Sequence, residues 1–193
     1  LMAAVGMMLL AGSRDLIVVF VSVELMSLAV YVLTGFSRKD PRSAEGALKY
    51  FLMGAFASGF LLYGIALLFG ATGSTNLALV TSEVARGAAE GNVLLYAGVA
   101  LVVVGFAFKI SAVPFHMWTP DVYDGAPAHI TGFMATAVKA AGFAILLRFA
   151  LLMQPQLAFA WYPVLAALAF VTMTAGNLVA LMQNNIKRML AWS

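Results

Sequence analysis

Four charged side chains lie within, or at the edge of, stretches that are otherwise apolar enough to be embedded in lipid. They are Glu24, Lys49, Lys109 and Lys139. Placing an ionised group at that depth costs roughly 2.5–3.5 kcal/mol even on lenient insertion scales, so such a residue faces a partner, a bundle interior or a hydrated path. Three lysines and one glutamate in these positions predict a pathway for proton transfer.

The stretch around Lys109 carries the most detailed chemical pattern, because Pro114 follows the lysine by five residues. Pro114 has no N–H, so the carbonyl of Ile110 loses its helical partner and the helix should kink or break. Broken helices at membrane depth are tolerated where they are buried in protein or line a hydrated cavity, and they commonly mark transport sites. His116, seven residues after Lys109, would lie on the same helix face as a candidate relay. A kink that serves packing alone, with Lys109 snorkelling to the surface, is the alternative.

The other three charged residues differ in how strongly they indicate function. Glu24 is midway along its apolar run, where a mutual pair with a buried lysine lowers the cost of both charges. The alternative for Glu24 is a protonated carboxyl with a structural hydrogen bond. Lys139 sits among small residues that permit close helix approach. Lys49 is the weaker candidate, because it lies within snorkelling reach of a polar loop.

The composition places the chain in a membrane and excludes several classes of function. Of 193 residues, 63% are hydrophobic and 10% are charged, against about 25% charged in a soluble domain. The absence of cysteine excludes disulfides and cysteine-ligated iron–sulfur clusters, and two histidines are too few for a convincing metal or haem site. No basic stripe with interleaved aromatic residues is present, so we expect no nucleic-acid partner. We expect no cofactor in this chain and no redox chemistry of its own.

The apolar runs predict an all-α, polytopic bundle of transmembrane helices, because runs of this length without alternation form helices rather than barrels. About six crossings are predicted, the first of them partial. They cover residues 1–11, 16–36, 44–70, 92–118, 127–153 and 161–182.

Residues 74–90 behave differently from the runs around them. Leu77, Val80 and Val84 have helical spacing among polar neighbours, which fits a short amphipathic helix at the membrane interface. A solvated loop is an equal alternative. Basic residues are concentrated in the loops on one side, which predicts that this side is cytoplasmic. Those residues are Arg38, Lys39, Arg42, Lys187 and Arg188, against Arg14 and Arg86 on the other side.

Three segments of the chain resemble a known family. They are FKISAVPFHMWTPDVYDGAP at residues 108–127, LKYFLMGAFASG at 48–59 and KAAGF at 139–143. They are similar to the antiporter-like membrane subunits of respiratory complex I, and most similar to subunit N of the bacterial NADH–quinone oxidoreductase, called subunit 2 in mitochondria. The resemblance extends over essentially the whole chain.

The resemblance implies a specific architecture. Family members contain two inverted repeats, each with a discontinuous helix. The chain would then be a single membrane-domain fragment, residues 1–193, and would form about half of this fold. Its first repeat would occupy roughly residues 1–153, and residues 154–193 would begin the second.

The resemblance also implies a function and a set of residues. Glu24, Lys109 and Lys139 match the family's proton-translocating glutamate and lysines, and Lys49 matches a lysine whose role is less settled. The chain would be a subunit of the proton-translocating NADH:quinone oxidoreductase, in the bacterial inner membrane, with other complex I membrane subunits and the lipid bilayer as partners. NADH, flavin, iron–sulfur clusters and quinone would be bound by other subunits.

The sequence is also compatible with two other functions. One is a subunit of a multi-subunit cation/proton antiporter, or of a membrane-bound hydrogenase, that shares the same module. The residues 118–127 favour the complex I subunit over this reading. The other is a purely structural helix bundle that spaces its partners. Inward ionisable groups argue against the scaffold, because it would gain nothing from their desolvation cost.

Overall fold

The computed structural model describes residues 1–89 and 91–193, and within them the side chains of all but residues 85, 87–89 and 154–160. This described part is helical and contains no extended β-strand. A π-helical turn, Met134–Val138, lies between α7 and α8. The helices are α1 (Met2–Gly12), α2 (Leu16–Thr34), α3 (Pro41–Thr72), α4 (Leu77–Ala89), α5 (Val93–Ile110), α6 (Thr119–Gly125), α7 (Ala128–Phe133), α8 (Lys139–Leu181) and α9 (Ile186–Trp192).

Five segments in the described residues are long and apolar enough to cross a membrane, with mean hydropathy between 1.7 and 2.5. The prediction of an all-α, polytopic bundle is therefore confirmed. One predicted crossing, 92–118, is shorter than expected, because α5 ends at Ile110. The five segments are Leu16–Thr34, Pro41–Thr72, Val93–Ile110, Ala128–Met153 and Trp161–Leu181.

Helix α8 contributes residues to two of these apolar segments. The two segments lie side by side. Leu146 from the first and Leu165 from the second line the same cavity of about 120 Å³. These residues would be about 28 Å apart in one straight helix, at 1.5 Å per residue. The segments Ala128–Met153 and Trp161–Leu181 therefore pack against each other as two separate crossings.

Polar side chains define where four of the helices begin. Asp15 accepts hydrogen bonds from the first backbone N–H groups of α2, and Asp40 does the same for α3. Asn92 and Asn185 cap α5 and α9 in the same way. A capping oxygen satisfies backbone donors that have no partner within the helix. The caps therefore fix the ends of the apolar segments.

Glycines allow α3 and α5 to approach closely. A Cβ atom added to Gly64 would lie 2.7 Å from the backbone nitrogen of Val102, and one added to Gly98 would lie 3.0 Å from the backbone nitrogen of Leu68. Small residues at such crossings bring two backbones into direct contact in membrane bundles. This contact fixes α5, which carries Lys109, against α3.

The loops gather at two opposite ends of the bundle. At one end, the Leu16 N–H donates to the Thr75 carbonyl at 2.8 Å, and the Thr75 hydroxyl donates to the Asp15 carboxylate at 2.6 Å. At the other end of α2, Arg42 and Arg188 line a common cavity. The two groups of basic residues thus lie at opposite ends, as the alternation of crossings predicts. Which end faces the cytoplasm stays a prediction.

The segment 74–90 contains a helix, so the loop alternative is wrong for Leu77–Ala89. Leu77, Val80 and Val84 are all buried in the hydrophobic core of the protein. The segment is therefore an amphipathic helix, as its pattern predicts, but its apolar face packs against the bundle rather than against lipid. Residue 90 lies outside the described residues.

Candidate functional site

Lys109 lies in the last turn of α5 and is 4% exposed. Its Nζ atom donates a hydrogen bond of 2.6 Å to the hydroxyl of Ser27 on α2. The Ser27 hydroxyl in turn donates to the carbonyl of Val23, one turn earlier on the same helix. The buried ammonium is thus held by a neutral side chain that is itself anchored to a helix backbone.

Aromatic rings surround the rest of the Lys109 ammonium. The rings of Tyr31, Tyr50 and Phe108 have their centroids 5.7, 5.9 and 5.6 Å from Nζ. A cation within about 6 Å of a ring centroid is attracted by the negative face of the π system. These rings lower the cost of burying the charge without supplying a countercharge.

The chain leaves the helix directly after Ile110. Ser111 adopts a left-handed conformation with φ of 61°, and its N–H donates to the Phe108 carbonyl at 3.1 Å. The N–H of Ala112 donates back to the Ala107 carbonyl at 2.9 Å. The helix therefore breaks before Pro114, as its missing N–H predicts, and the break lies beside Lys109.

Lys139 binds the broken end of α5. Its Nζ atom donates to the carbonyl of Ile110 at 2.9 Å and also to the hydroxyl of Ser111. The hydroxyl of Thr119 donates to the same Ser111 oxygen at 2.7 Å. Lys139 follows a π-helical turn, an irregularity that is frequent at functional sites. The break that Pro114 causes thus supplies two oxygen ligands to a second lysine.

The hydrogen-bond partner of Glu24 is a serine. Its carboxylate accepts a hydrogen bond from the Ser58 hydroxyl on α3. Among the residues that the structure describes, no ion pair joins Glu24 to Lys109, so the predicted direct pair is not formed in this conformation. Glu24 and Ser27 are three residues apart and share a face of α2. The carboxylate is close enough to interact electrostatically with the Lys109 ammonium.

Lys49 lies apart from Lys109 and Lys139, and its side chain is 44% exposed. It forms ion pairs with Glu45 at 2.6 Å and with Asp121 at 3.0 Å. The other carboxylate oxygen of Asp121 pairs with Arg188 at 2.8 Å. Burial raises the pKa of Asp121, but hydrogen bonds from Lys49 and Arg188 lower it by more, so this pKa lies below its ordinary value of 3.8.

His116 does not share a helix face with Lys109, because α5 has ended six residues before it. That part of the prediction is wrong. The His116 ring packs 4.9 Å from the ring of Trp192. It lines a small cavity of about 30 Å³ together with Ser111 and Thr119. Burial lowers the pKa of His116, and a hydrogen bond with the Pro114 backbone partly offsets this. The lowered pKa favours the neutral form of the ring.

Several residues of the site were missed by the sequence reasoning. Ser27, Ser58 and Ser111 are hydroxyl partners of the charged groups, but serines in apolar helices are common and carry no signal alone. Asp121 was also missed. Its position shortly after the broken helix, among other polar residues, is the one signal that could have indicated it. In the described residues, no cluster of three or more histidine, aspartate or glutamate side chains could hold a metal ion.

Comparison with known proteins gives consistent matches over the whole chain. Residues 13–193 match the family described as "NADH:quinone oxidoreductase/Mrp antiporter, TM". NADH-quinone oxidoreductase subunit N of Gemmatimonas aurantiaca is 59% identical over 100% of this chain and 37% of its own length. The chain thus spans about two fifths of the length of the curated relatives it matches.

Solved structures also match almost the whole length of this chain. A chain of respiratory complex I from Thermus thermophilus, solved with bound aureothin, is 44% identical, with a TM-score of 0.84 over 99% of this chain and 40% of that one. A chain of an archaeal membrane-bound sulfane sulfur reductase is 30% identical, with a TM-score of 0.88 over 99% of this chain and 39% of that one. Sequence and fold agree, and the chain belongs to the NADH:quinone oxidoreductase/Mrp antiporter transmembrane family.

Proposed function

We propose that this chain is part of the proton-translocating membrane subunit N of a bacterial NADH–quinone oxidoreductase. The observation that carries the proposal is that Lys109 and Lys139 are bound by hydroxyl and carbonyl oxygens inside an apolar bundle. A carboxylate partner would hold each lysine in its charged form. A serine hydroxyl accepts from an ammonium and can donate to a neutral amine, so it tolerates either protonation state.

The arrangement supports a transfer sequence in two stages. Glu24 and Ser27 lie on one face of α2, so a change in the charge of the carboxylate alters the field at Lys109. Lys139 would take up the proton next, at the broken end of α5. A neutral His116 ring, which its lowered pKa favours, can both donate and accept, and we propose it as a relay beyond Ser111. Lys49, with two carboxylates, would have a secondary role.

The rest of the enzyme would supply the redox chemistry. NADH, flavin, iron–sulfur clusters and quinone would be bound by other subunits, and this chain would act as a subunit of the translocase. Its partners would be other complex I membrane subunits and the lipid of a bacterial inner membrane. The names of the relatives and the five apolar segments support this assignment. Residues 1–153 would form the first repeat and 154–193 the start of the second.

A sodium/proton antiporter or a membrane-bound hydrogenase-type complex is the second candidate. It is supported by the family description and by the close fold match to an archaeal respiratory membrane complex. Sequence identity favours the first candidate, with 44% to a complex I chain and 59% to a subunit N. The two candidates differ in the energy source for proton transfer, which is NADH oxidation by quinone in the first and another gradient or redox reaction in the second.

Inside-out vesicles that contain the complete complex distinguish these functions. NADH with a quinone should drive proton uptake, and a quinone-site inhibitor should abolish it. Lys139→Ala should lower this uptake, whereas Lys39→Ala, a matched lysine in a loop outside the site, should leave it unchanged. Proton exchange driven by an imposed sodium gradient without NADH, together with no NADH-driven uptake, would contradict the proposal.

A further inference from the structure

A stacked aromatic pair lies between Lys109, which is buried, and Lys139, which is half-buried. The rings of Tyr50 and Trp118 are 4.3 Å apart between centroids and are inclined by only 9°. Lys109 Nζ lies over Tyr50 at 5.9 Å, and Lys139 Nζ lies over Trp118 at 5.6 Å. Each ring of the pair therefore has an ammonium group of its own.

The pair is held in a fixed orientation. Tyr50 is 1% exposed and Trp118 is 2% exposed. The indole N–H of Trp118 donates to the Phe108 carbonyl at 3.2 Å, which ties the ring to the end of α5. The edge of Tyr31 meets Tyr50 at 4.7 Å and 83°. The rings cannot turn away from the lysines without breaking these contacts.

The electrostatics of this arrangement differ from those of an ion pair. A ring face attracts a cation through its quadrupole, and the attraction is stronger where water is excluded. The ring carries no net charge, so it favours the ammonium form without neutralising it. Through this pair each lysine ammonium gains the face of one ring, and Lys109 has the rings of Tyr31 and Phe108 in addition.

We propose that Tyr50 and Trp118 are positioning residues that form a cation–π bridge between Lys109 and Lys139. The bridge stabilises a proton on either lysine and so keeps the two sites close in free energy. This inference rests on the proposed function, because it assigns the aromatic pair a role in the same proton transfer. The competing explanation is that the two rings only fill the core.

Graded fluorination of Trp118 in the complete complex separates these explanations. Site-specific incorporation of mono-, di- and trifluorotryptophan weakens the ring quadrupole with little change in shape. Fluorine also makes the indole N–H a better donor, so the bond to Phe108 is not lost. We expect NADH-driven proton uptake per electron to fall stepwise, by roughly threefold to tenfold across the series. Uptake that does not change with fluorination in assembled complex would overturn the inference.

Substitutions of Tyr50 give a second, independent measurement. Tyr50→Phe keeps the ring and should retain proton uptake, whereas Tyr50→Leu should lose it by a factor similar to that of trifluorotryptophan. Phe106→Leu is the matched control, because Phe106 is equally buried and its ring pairs with that of Phe149 at 5.7 Å rather than with a lysine. Normal uptake in assembled Tyr50→Leu, with uptake lost in Lys109→Ala, would overturn the bridge and leave the proposed function intact. Normal uptake in both variants would contradict the proposed function itself.

Discussion

The Lys139 ammonium donates a hydrogen bond of 2.9 Å to the carbonyl of Ile110, the last residue of α5. This carbonyl is available because its usual helical donor would be the N–H of Pro114, which proline lacks. One residue type therefore both ends the helix and creates a ligand for a lysine on the neighbouring helix. The broken helix is thus part of the proposed proton site rather than a feature beside it.

Ser111→Gly tests the hydroxyl that Lys139 contacts. Glycine adopts the positive φ of this position without strain, so the backbone of the break should be retained. We expect proton uptake per electron to fall on the order of tenfold, because a hydrogen bond to a charged group is lost. Ser111→Asn, which tolerates the left-handed conformation and keeps a polar group, should lose less. Unchanged uptake in assembled Ser111→Gly would show that the hydroxyl is not used.

Asp121→Asn tests the ion pairs that join α3, α6 and α9. Both partners of Asp121 are more than a third exposed, so we expect a loss of only about 1 kcal/mol in stability, reduced further by salt. Thermal unfolding of the complete protein in detergent measures it. Glu83→Gln, which removes one exposed pair on α4, is the control and should change the midpoint less. A larger loss that salt does not reduce would contradict this account.

The stabilisation by Asp121 should depend on pH in a defined direction. Because the folded-state pKa of Asp121 is lowered, its contribution is fully present above the unfolded value and is lost as the pH falls through the folded value. The stability difference between Asp121→Asn and the unchanged protein should therefore be constant from about pH 5 to pH 8 and shrink below about pH 4. Unfolding midpoints across this range measure it. A difference that grows towards acid pH would refute the sign.

Gly64→Ala tests the close contact between α3 and α5. The added Cβ would lie 2.7 Å from a backbone nitrogen of α5, which cannot move independently of its helix. Overpacking of this kind costs roughly 1–3 kcal/mol, so a lower unfolding temperature is expected. Gly59→Ala in the same helix is the matched control, because nothing lies within 4 Å of its Cβ position. Equal effects of the two substitutions would exclude a steric cause.

Thiol labelling tests the orientation in the membrane. The chain has no cysteine, so single substitutions Lys39→Cys and Ala78→Cys can be labelled on this subunit with an impermeant reagent. These positions lie at opposite ends of the bundle and both are exposed. We expect position 39 to react only in inside-out vesicles and position 78 only in intact, outer-membrane-permeabilised cells. The opposite pattern would reverse the predicted topology.

The apolar segments and the buried charges could be predicted from the sequence. The mean hydropathy of a whole segment identifies it as apolar. A single ionisable residue such as Lys139 is easily recognised within such a segment. Pro114 predicts a break in α5 but not the residue at which the helix ends, because the apolar run continues past Ile110 while the backbone turns at Ser111. Hydropathy indicates which segments lie in an apolar environment. The end of a helix depends instead on which residue adopts the capping backbone conformation.

The partners of the charged residues could not be predicted either. Ser27 is 82 residues from Lys109 and Ser58 is 34 residues from Glu24, so each contact depends on how two helices pack. The sequence predicts a direct pair of Glu24 and Lys109, because pairing opposite charges lowers the free-energy cost of burying both. The prediction takes no account of how the helices pack. The helix packing instead places a hydroxyl beside each of them.

Proton uptake in vesicles that carry Lys109→Ala in the complete complex tests the central claim most directly. Lys109→Arg serves as its companion, because arginine keeps the charge but cannot release its proton under these conditions. With assembly verified on native gels, the account predicts that both variants pump markedly fewer protons per electron transferred from NADH to quinone. Assembled Lys109→Ala complex that pumps at the normal proton-per-electron ratio would contradict it.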